Sequence, residues 1–373
     1  MRVVACCLGA TLLVGAGACG HEGNRHPIPG HLCPSTSLSP GLVRGSVTGP
    51  VFFVSGPEDC QAHAYTYSGQ RTDRRLIFPS CVEACSGPVI APDGSVPAWP
   101  VAPNEVAGRT WAPDSRRICG FLNGYVHPIR VGWYDLRTPG NVHVITFPGL
   151  FHRYPTATYS LLSCDIEAAS AVLAAQDTYA GVVALALVSL TGPKVLWHRE
   201  FPSGAPGPVS VVVAPDVRYL AIQHTRQPPF PTAEPTPASC KPGARVCEAP
   251  LPAQPPPPVP TEADLYALRP APHIIRRIRG EGVIGWSGDG SRLITWSSHG
   301  PSGIGDVVRV LRATDGQVIW QTAASYTSAV TAPGLSAIAI QTYDPTHKET
   351  IHLIDAIGHT TRLNVTGQLI PSR

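Results

Sequence analysis

The chain carries little charge, few aromatic residues and no methionine beyond Met1. Charged residues make up 14% and aromatics 7% of its 373 positions, and the formal net charge is +3. A balance this close to neutral leaves no footprint for nucleic acid. The one basic run, Ile274 to Arg279, alternates with apolar residues as the solvent face of a strand does. No H-E-x-x-H helix, P-loop or EF-hand loop occurs. Cys81 and Cys85 are spaced C-x3-C, which is not the redox or zinc-ribbon spacing. There is no G-x-S-x-G nucleophile elbow; Gly285-Trp286-Ser287-Gly288-Asp289 comes near it but sits in a repeated turn, where Ser287 has a structural explanation. Long helical patterns are missing as well. With 41 prolines and 36 glycines, short β-branched runs are bounded by turn residues throughout, which reads as all-β.

What is present begins with an export signal. Met1-Arg2 is a minimal positive region, and Val3 to Val14 is an apolar segment too short to span a bilayer comfortably. Ala16-Gly17-Ala18-Cys19 then resembles the bacterial lipobox, with Ala16 where that motif usually has Leu. The resemblance implies removal of residues 1–18 as a signal peptide, palmitate-type lipidation at Cys19, and a cell-membrane anchor on the extracytoplasmic face. Ordinary A-x-A cleavage is the alternative. Parity favours the lipid: with Cys19 set aside, Cys33, Cys60, Cys81, Cys85, Cys119, Cys164, Cys240 and Cys247 remain, an even set suited to disulfides outside the cytosol. The G-x-G-x-x-G match at Gly15 to Gly20 lies inside the signal and is no dinucleotide site. Residues 19–45 read as a flexible tether. His21, His26 and His31 lie within it, but carboxylates at ligand spacing do not, so no metal site and no cofactor is expected.

From residue 46 onward two turn signals recur in phase. The first is Trp111-Ala112-Pro113-Asp114 and Trp286-Ser287-Gly288-Asp289, with weaker copies at Asp165 and Asp216. The second is a D/T-x-G turn at Gly140, Gly192 and Gly316, which follows the first by 26, 27 and 27 residues. Pro92-Asp93-Gly94 is a further, irregular copy, only 21 residues before Asp114. Proline presets φ, aspartate binds nearby N–H groups and glycine tolerates φ > 0, so each signal is a tight turn. Four short strands in about 40–50 residues, repeated, describe a β-propeller blade. A tryptophan at a repeated position, as at Trp197 and Trp320, is expected to pack between blades.

These segments resemble the WD40-like propeller of the TolB type, and Gly316 to Trp320 is similar to the PQQ-like repeat. The resemblance covers 46–373 and implies a fold, not an activity. Six blades are expected, seven being the alternative, with an irregular excursion near 81–108. In the seven-blade alternative, strands from both chain ends would complete one blade. Cys119 and Cys164 fall on consecutive blades and are candidates to pair, although spacing leaves the full connectivity open. Residues 227–262, with Pro255 to Pro258 and Cys240 and Cys247, read as a loop inserted within one blade, either a partner-binding arm or a tolerated surface insertion. His143, His224, His299 and Glu167 are the candidates for a catalytic channel, but nothing in their spacing makes them converge. The expected function is therefore a non-catalytic, lipid-anchored binding module for an envelope protein or cell-wall partner. An extracytoplasmic propeller enzyme of the hydrolase, lactonase or quinoprotein kind is the alternative.

Overall fold

A computed structural model describes residues 42–45, 48–56, 61–77, 91, 93–94, 106–122, 127–138, 141–202, 209–226, 259–297, 306–344, 346, 348–365 and 367–370. Among them are 25 strands in six antiparallel sheets. Blade 1 contains β1 (Leu42–Arg44), β2 (Val51–Ser55), β3 (Gln61–Thr66) and β4 (Arg71–Ile77). Blade 2 is β5 (Val106–Trp111), β6 (Arg117–Leu122), β7 (Ile129–Asp135) and β8 (Val142–Phe147). Blade 3 is β9 (Thr158–Asp165), β10 (Ser170–Asp177), β11 (Val182–Ser189) and β12 (Val195–Pro202). Blade 4 is β13 (Val209–Val213), β14 (Tyr219–Arg226), β15 (Val259–Ala267) and β16 (His273–Arg279). Blade 5 is β17 (Gly282–Trp286), β18 (Arg292–Ser297), β19 (Val307–Arg312) and β20 (Val318–Ala323). Blade 6 is β21 (Ser325–Thr331), β22 (Ile338–Tyr343), β23 (Glu349–Ile354) and β24 (Thr360–Leu363), and β25 (Gln368–Ile370) ends the described chain.

Five sheets are sequential four-stranded meanders, and the first has the order β1-β4-β3-β2-β25. This is a six-bladed β-propeller. β25 pairs with β2 through Phe53↔Ile370 and Val54↔Leu369, and it touches β21, the position that first strands hold beside one another elsewhere in the ring. Blade 1 is thus built from both ends of the chain, within a count of six. Its fifth strand, β1, pairs Leu42↔Ile77 and Arg44↔Arg75. The folded part therefore starts inside the expected 19–45 tether, because the backbone of Leu42–Arg44 pairs with the otherwise open edge of β4.

Between neighbouring blades the packing is apolar. Blades 2 and 3 share a core that includes Phe121, Val131, Leu161 and Leu173. Blades 3 and 4 share Leu185, Leu187, Leu220 and Tyr266, and blades 4 and 5 share Leu265, Trp286 and Leu293. Ile294, Val308, Ile338 and Ile340 join blades 5 and 6, and Phe52, Val54, Ile351 and Leu369 join 6 and 1. Middle strands bury both faces, so β11 reads as the unbroken run VVALALVS. Each such buried Val or Leu contributes about 1.5–3 kcal/mol. Trp197 packs on Tyr266 of the next blade and Trp320 on His352 of the next, with ring centroids 6.3 and 5.0 Å apart, as the repeated tryptophan led one to expect.

The repeated turn works through its aspartate. Asp114 accepts hydrogen bonds from Arg116 N and Arg117 N, both at 3.0 Å, and pairs with the Arg117 guanidinium. Asp216 does the same for Arg218 N (3.0 Å) and its guanidinium, and Asp165 Oδ1 accepts from Ala168 N at 3.0 Å. Burial alone would raise the Asp289 carboxyl, but hydrogen bonds from Ser287 and Ser291 outweigh it and hold the group below the usual carboxylate range. Val217, which stands where another copy has glycine, keeps the turn at φ 54 while its side chain is buried between blades 3 and 4. Gly192 and Gly316 lie between the third and fourth strands of their blades. Asp93 departs from the pattern. It opens no described strand; its carbonyl accepts from Val51 N at 3.1 Å and so supports blade 1.

A glutamine on the second strand links some blades to the next. Gln223 Oε1 accepts from Val283 N at 3.0 Å, and Gln341 Oε1 accepts from Leu369 N at 2.6 Å. Cys119 on β6 and Cys164 on β9 form a disulfide, with Cα atoms 6.5 Å apart. Cys19, Cys33, Cys60, Cys81, Cys85, Cys240, Cys247, Gly140 and His299 lie outside the described residues.

Candidate functional site

β12 is the outermost strand of blade 3. It pairs with β11 along one edge, and its side chains alternate between two surroundings. Trp197 and Phe201 turn toward blade 4. Val195, His198 and Glu200 line a cleft of about 400 Å³ shared with the connection from β8 to β9. Phe147, Leu150, Phe151 and Tyr154 supply the apolar wall of this cleft, and Arg153 and His152 contribute charge and hydrogen-bonding capacity.

That connection is held rigidly. Tyr159 Oη donates to Tyr154 O at 2.7 Å and lies 2.8 Å from His127 Nε2. His152 Nδ1 donates to Gly149 O at 2.8 Å, and Thr156 Oγ1 donates to Asp177 Oδ2 at 2.9 Å. Phe151 sits at φ 58 and stacks on Tyr159 at 6.1 Å, with His198 equally distant on a tilted plane. A bulky residue in the left-handed region is costly and persists where packing over-determines it. Burial first, then the hydrogen bond and charge of Glu200, pushes the Tyr154 phenol above its usual range, so it stays a donor to Glu200. Thr156 and the backbone N–H groups of Tyr179 and Ala180 hold Asp177 as a carboxylate beneath the connection. Chemically the cleft offers the edges of largely buried aromatic side chains below a rim of mixed charge.

Among the described residues, the sequence candidates His143, Glu167 and His224 do not meet in one place. His143 is on the outer strand β8, stacked on Trp133 at 4.9 Å. Glu167 is exposed, 3.5 Å from Arg117. Of these three, His224 converges with acids: its Nε2 is 3.7 Å from Asp264 Oδ2, and Glu262 is beside them. Glu262 and Asp264 were not singled out from sequence, although Glu-Ala-Asp in a strand puts both carboxylates on one face. Their partner is separated from them by 227–258. The pairing Arg226↔Val259 shows that these residues, outside the described set, connect two neighbouring strands of one blade. It also moves the end of the expected 227–262 insertion back to 258, because Val259–Glu262 already belong to β15.

The cleft and the ring define a β-propeller with a lateral pocket. No family model matches the chain, and no curated protein matches it by sequence. Solved propellers are similar at a distance. The propeller domain of the Trilobed protease from Pyrococcus furiosus is 8% identical with a TM-score of 0.41, covering 84% of each chain. TolB from Acinetobacter baumannii is 13% identical with a TM-score of 0.37, covering 86% of this chain and 66% of its own. One of two prolyl endopeptidases is 12% identical with a TM-score of 0.41, covering 88% of this chain and 43% of its own. The chain thus spans less than half of that endopeptidase. The assignment of the fold rests on the sheet order.

Proposed function

We propose that the chain is an exported, lipid-anchored propeller that binds a protein partner in the bacterial envelope through the cleft beside β12. The cleft carries this reading: an aromatic wall of Phe147 and Phe151 meets a rim of Arg153, His198 and Glu200, which suits an apolar side chain flanked by polar backbone. The Cys119–Cys164 pair supports an oxidising compartment, and the segment ending in Ala18-Cys19 supports anchoring.

The repeat supplies its own control. Val195 and Val318 open equivalent fourth strands and are similarly exposed, at 41% and 47%, but only Val195 borders the cleft. A photocrosslinking residue at position 195 in living cells is expected to capture a discrete protein that position 318 does not. Equal capture at both positions, or none at either, would refute binding at the cleft. Separately, Cys19→Ser is expected to abolish acyl labelling and release the chain from the membrane fraction. Unchanged labelling would refute the anchor without touching the cleft.

A further inference from the structure

His224, Glu262 and Asp264 form a constellation that the cleft does not use. His224 on β14 lies directly opposite Glu262 on β15, and Asp264 is two residues further along the same face. One donor atom from each lies within 4.8 Å of the others, and His224 Nε2 to Asp264 Oδ2 is 3.7 Å. In a closed zinc site, bond lengths near 2.0–2.2 Å put donors about 3–3.6 Å apart. Small side-chain rotations would therefore close the set on an ion.

Three details make this more than a chance grouping. Asp264 is only 8% exposed, and its Oδ1 is out of solvent and without a hydrogen bond of proper geometry, although Arg277 Nε approaches to 3.0 Å. The carboxylate is thus oriented, with Arg277 behind it and Oδ2 toward His224, as second-sphere partners orient metal-ligating carboxylates. The ladder also slips beside the pair: His224 faces Glu262 but Thr225 faces Pro260, so Thr261 is an extra residue, a bulge on β15 next to Glu262. Finally, the donors differ in kind. One imidazole and two carboxylates suit a borderline divalent ion such as Zn2+ better than Mg2+, which favours oxygen alone. The surrounding cations are Arg277 and Arg279 on β16, opposite Asp264 and Glu262, and Arg199 of blade 3, which donates to Tyr266 Oη at 2.8 Å.

We propose that His224, Glu262 and Asp264 bind one divalent transition-metal ion of the Zn2+ class. His224 and Glu262 are only partly buried, so a coordination position is left toward solvent at the root of the 227–258 connection. The ion would clasp β14 to β15 where that connection leaves the blade. Its open position could take water or a donor group from a bound molecule.

The test is calorimetric titration of Zn2+ into the chelator-treated, disulfide-intact chain, with Mg2+ for comparison. The variants are His224→Ala and Glu262→Gln, which remove one ligand each and leave the Asp264–Arg277 contact in place. One Zn2+ per chain is expected, weakened about 100-fold or more in both variants, with a rise in Tm on zinc addition only in the parent chain. Circular dichroism and the intact Cys119–Cys164 pair confirm that the variants are folded. Zinc binding that both variants retain overturns the proposal, as does binding that vanishes instead on replacing His21, His26 and His31. No zinc binding by the parent chain, or binding of Mg2+ with equal strength, overturns it too.

Discussion

Cys119 on the second strand of blade 2 is covalently joined to Cys164 on the first strand of blade 3, and both residues are fully buried. The bond spans 45 residues and locks two blades whose contact is otherwise a shared apolar core. Chain entropy for a loop of that length corresponds to about 4 kcal/mol at most. Cys119→Ala with Cys164→Ala is expected to lower the unfolding free energy by about 2–4 kcal/mol, measured by guanidinium titration. No measurable loss would show that the apolar core alone holds the seam.

Gln341 closes the ring. Its Oε1 accepts from Leu369 N, and its Nε2 donates to Gly367 O at 2.9 Å and Glu349 Oε2 at 3.0 Å. Gln341→Leu leaves the buried Leu369 N–H unpaired, costing about 1–3 kcal/mol, and also frees the part-buried Gly367 carbonyl. Amide exchange should accelerate at Leu369 before it does in β11. Gln223→Leu frees only Val283 N and should cost less. Equal costs would mean that β25 is held by its pairing with β2 rather than by Gln341.

His352 should make the protein acid-sensitive. Burial first, and then the charge of Arg362, pushes its pKa from 6.5 down to about 4, so it is neutral in the fold against Trp320. The unfolded chain takes up this proton at higher pH than the folded one. The stability contribution is therefore complete above pH 6.5, falls as pH drops toward 4, and is flat below that. A shift of this size corresponds to about 3 kcal/mol. Stability-versus-pH curves of the parent and His352→Phe should diverge across that window, and parallel curves would refute the assignment.

At Gly288 the backbone of blade 5 meets that of blade 6. A Cβ there would lie 1.9 Å from Ala332 O, which is why this copy of the turn carries glycine where Trp111-Ala112-Pro113 carries proline. Gly288→Ala is expected to cost about 1–3 kcal/mol, read as a lowered Tm, by forcing the seam apart. Gly192, with nothing within 4 Å of its would-be Cβ, is the matched control and should tolerate alanine far better.

Much of the architecture was legible in the chain because its signals are local. The phase of Asp114, Asp165, Asp216 and Asp289 against Gly192 and Gly316 follows from turn chemistry, and the apolar runs between them follow from strands buried on two faces. The count of six blades rests on that phasing, as does the placing of Cys119 and Cys164 on consecutive blades; closure by both chain ends, expected only for seven blades, occurs within six. Where the signal was weaker, the boundaries moved: β1 starts within the expected tether, and β15 begins before the expected end of the insertion.

The sites were not legible, because they depend on register between strands far apart in sequence. His224 meets Glu262 only through the β14–β15 ladder, across 227–258, and a one-residue slip would send the two side chains to opposite faces. The cleft likewise exists because Phe151 adopts φ 58 against Tyr159 and faces His198 across the blade seam. Short-range periodicity and turn residues determine what each strand is. Which side chains share a surface is decided by the energies of pairing and packing, which couple residues that the sequence keeps apart.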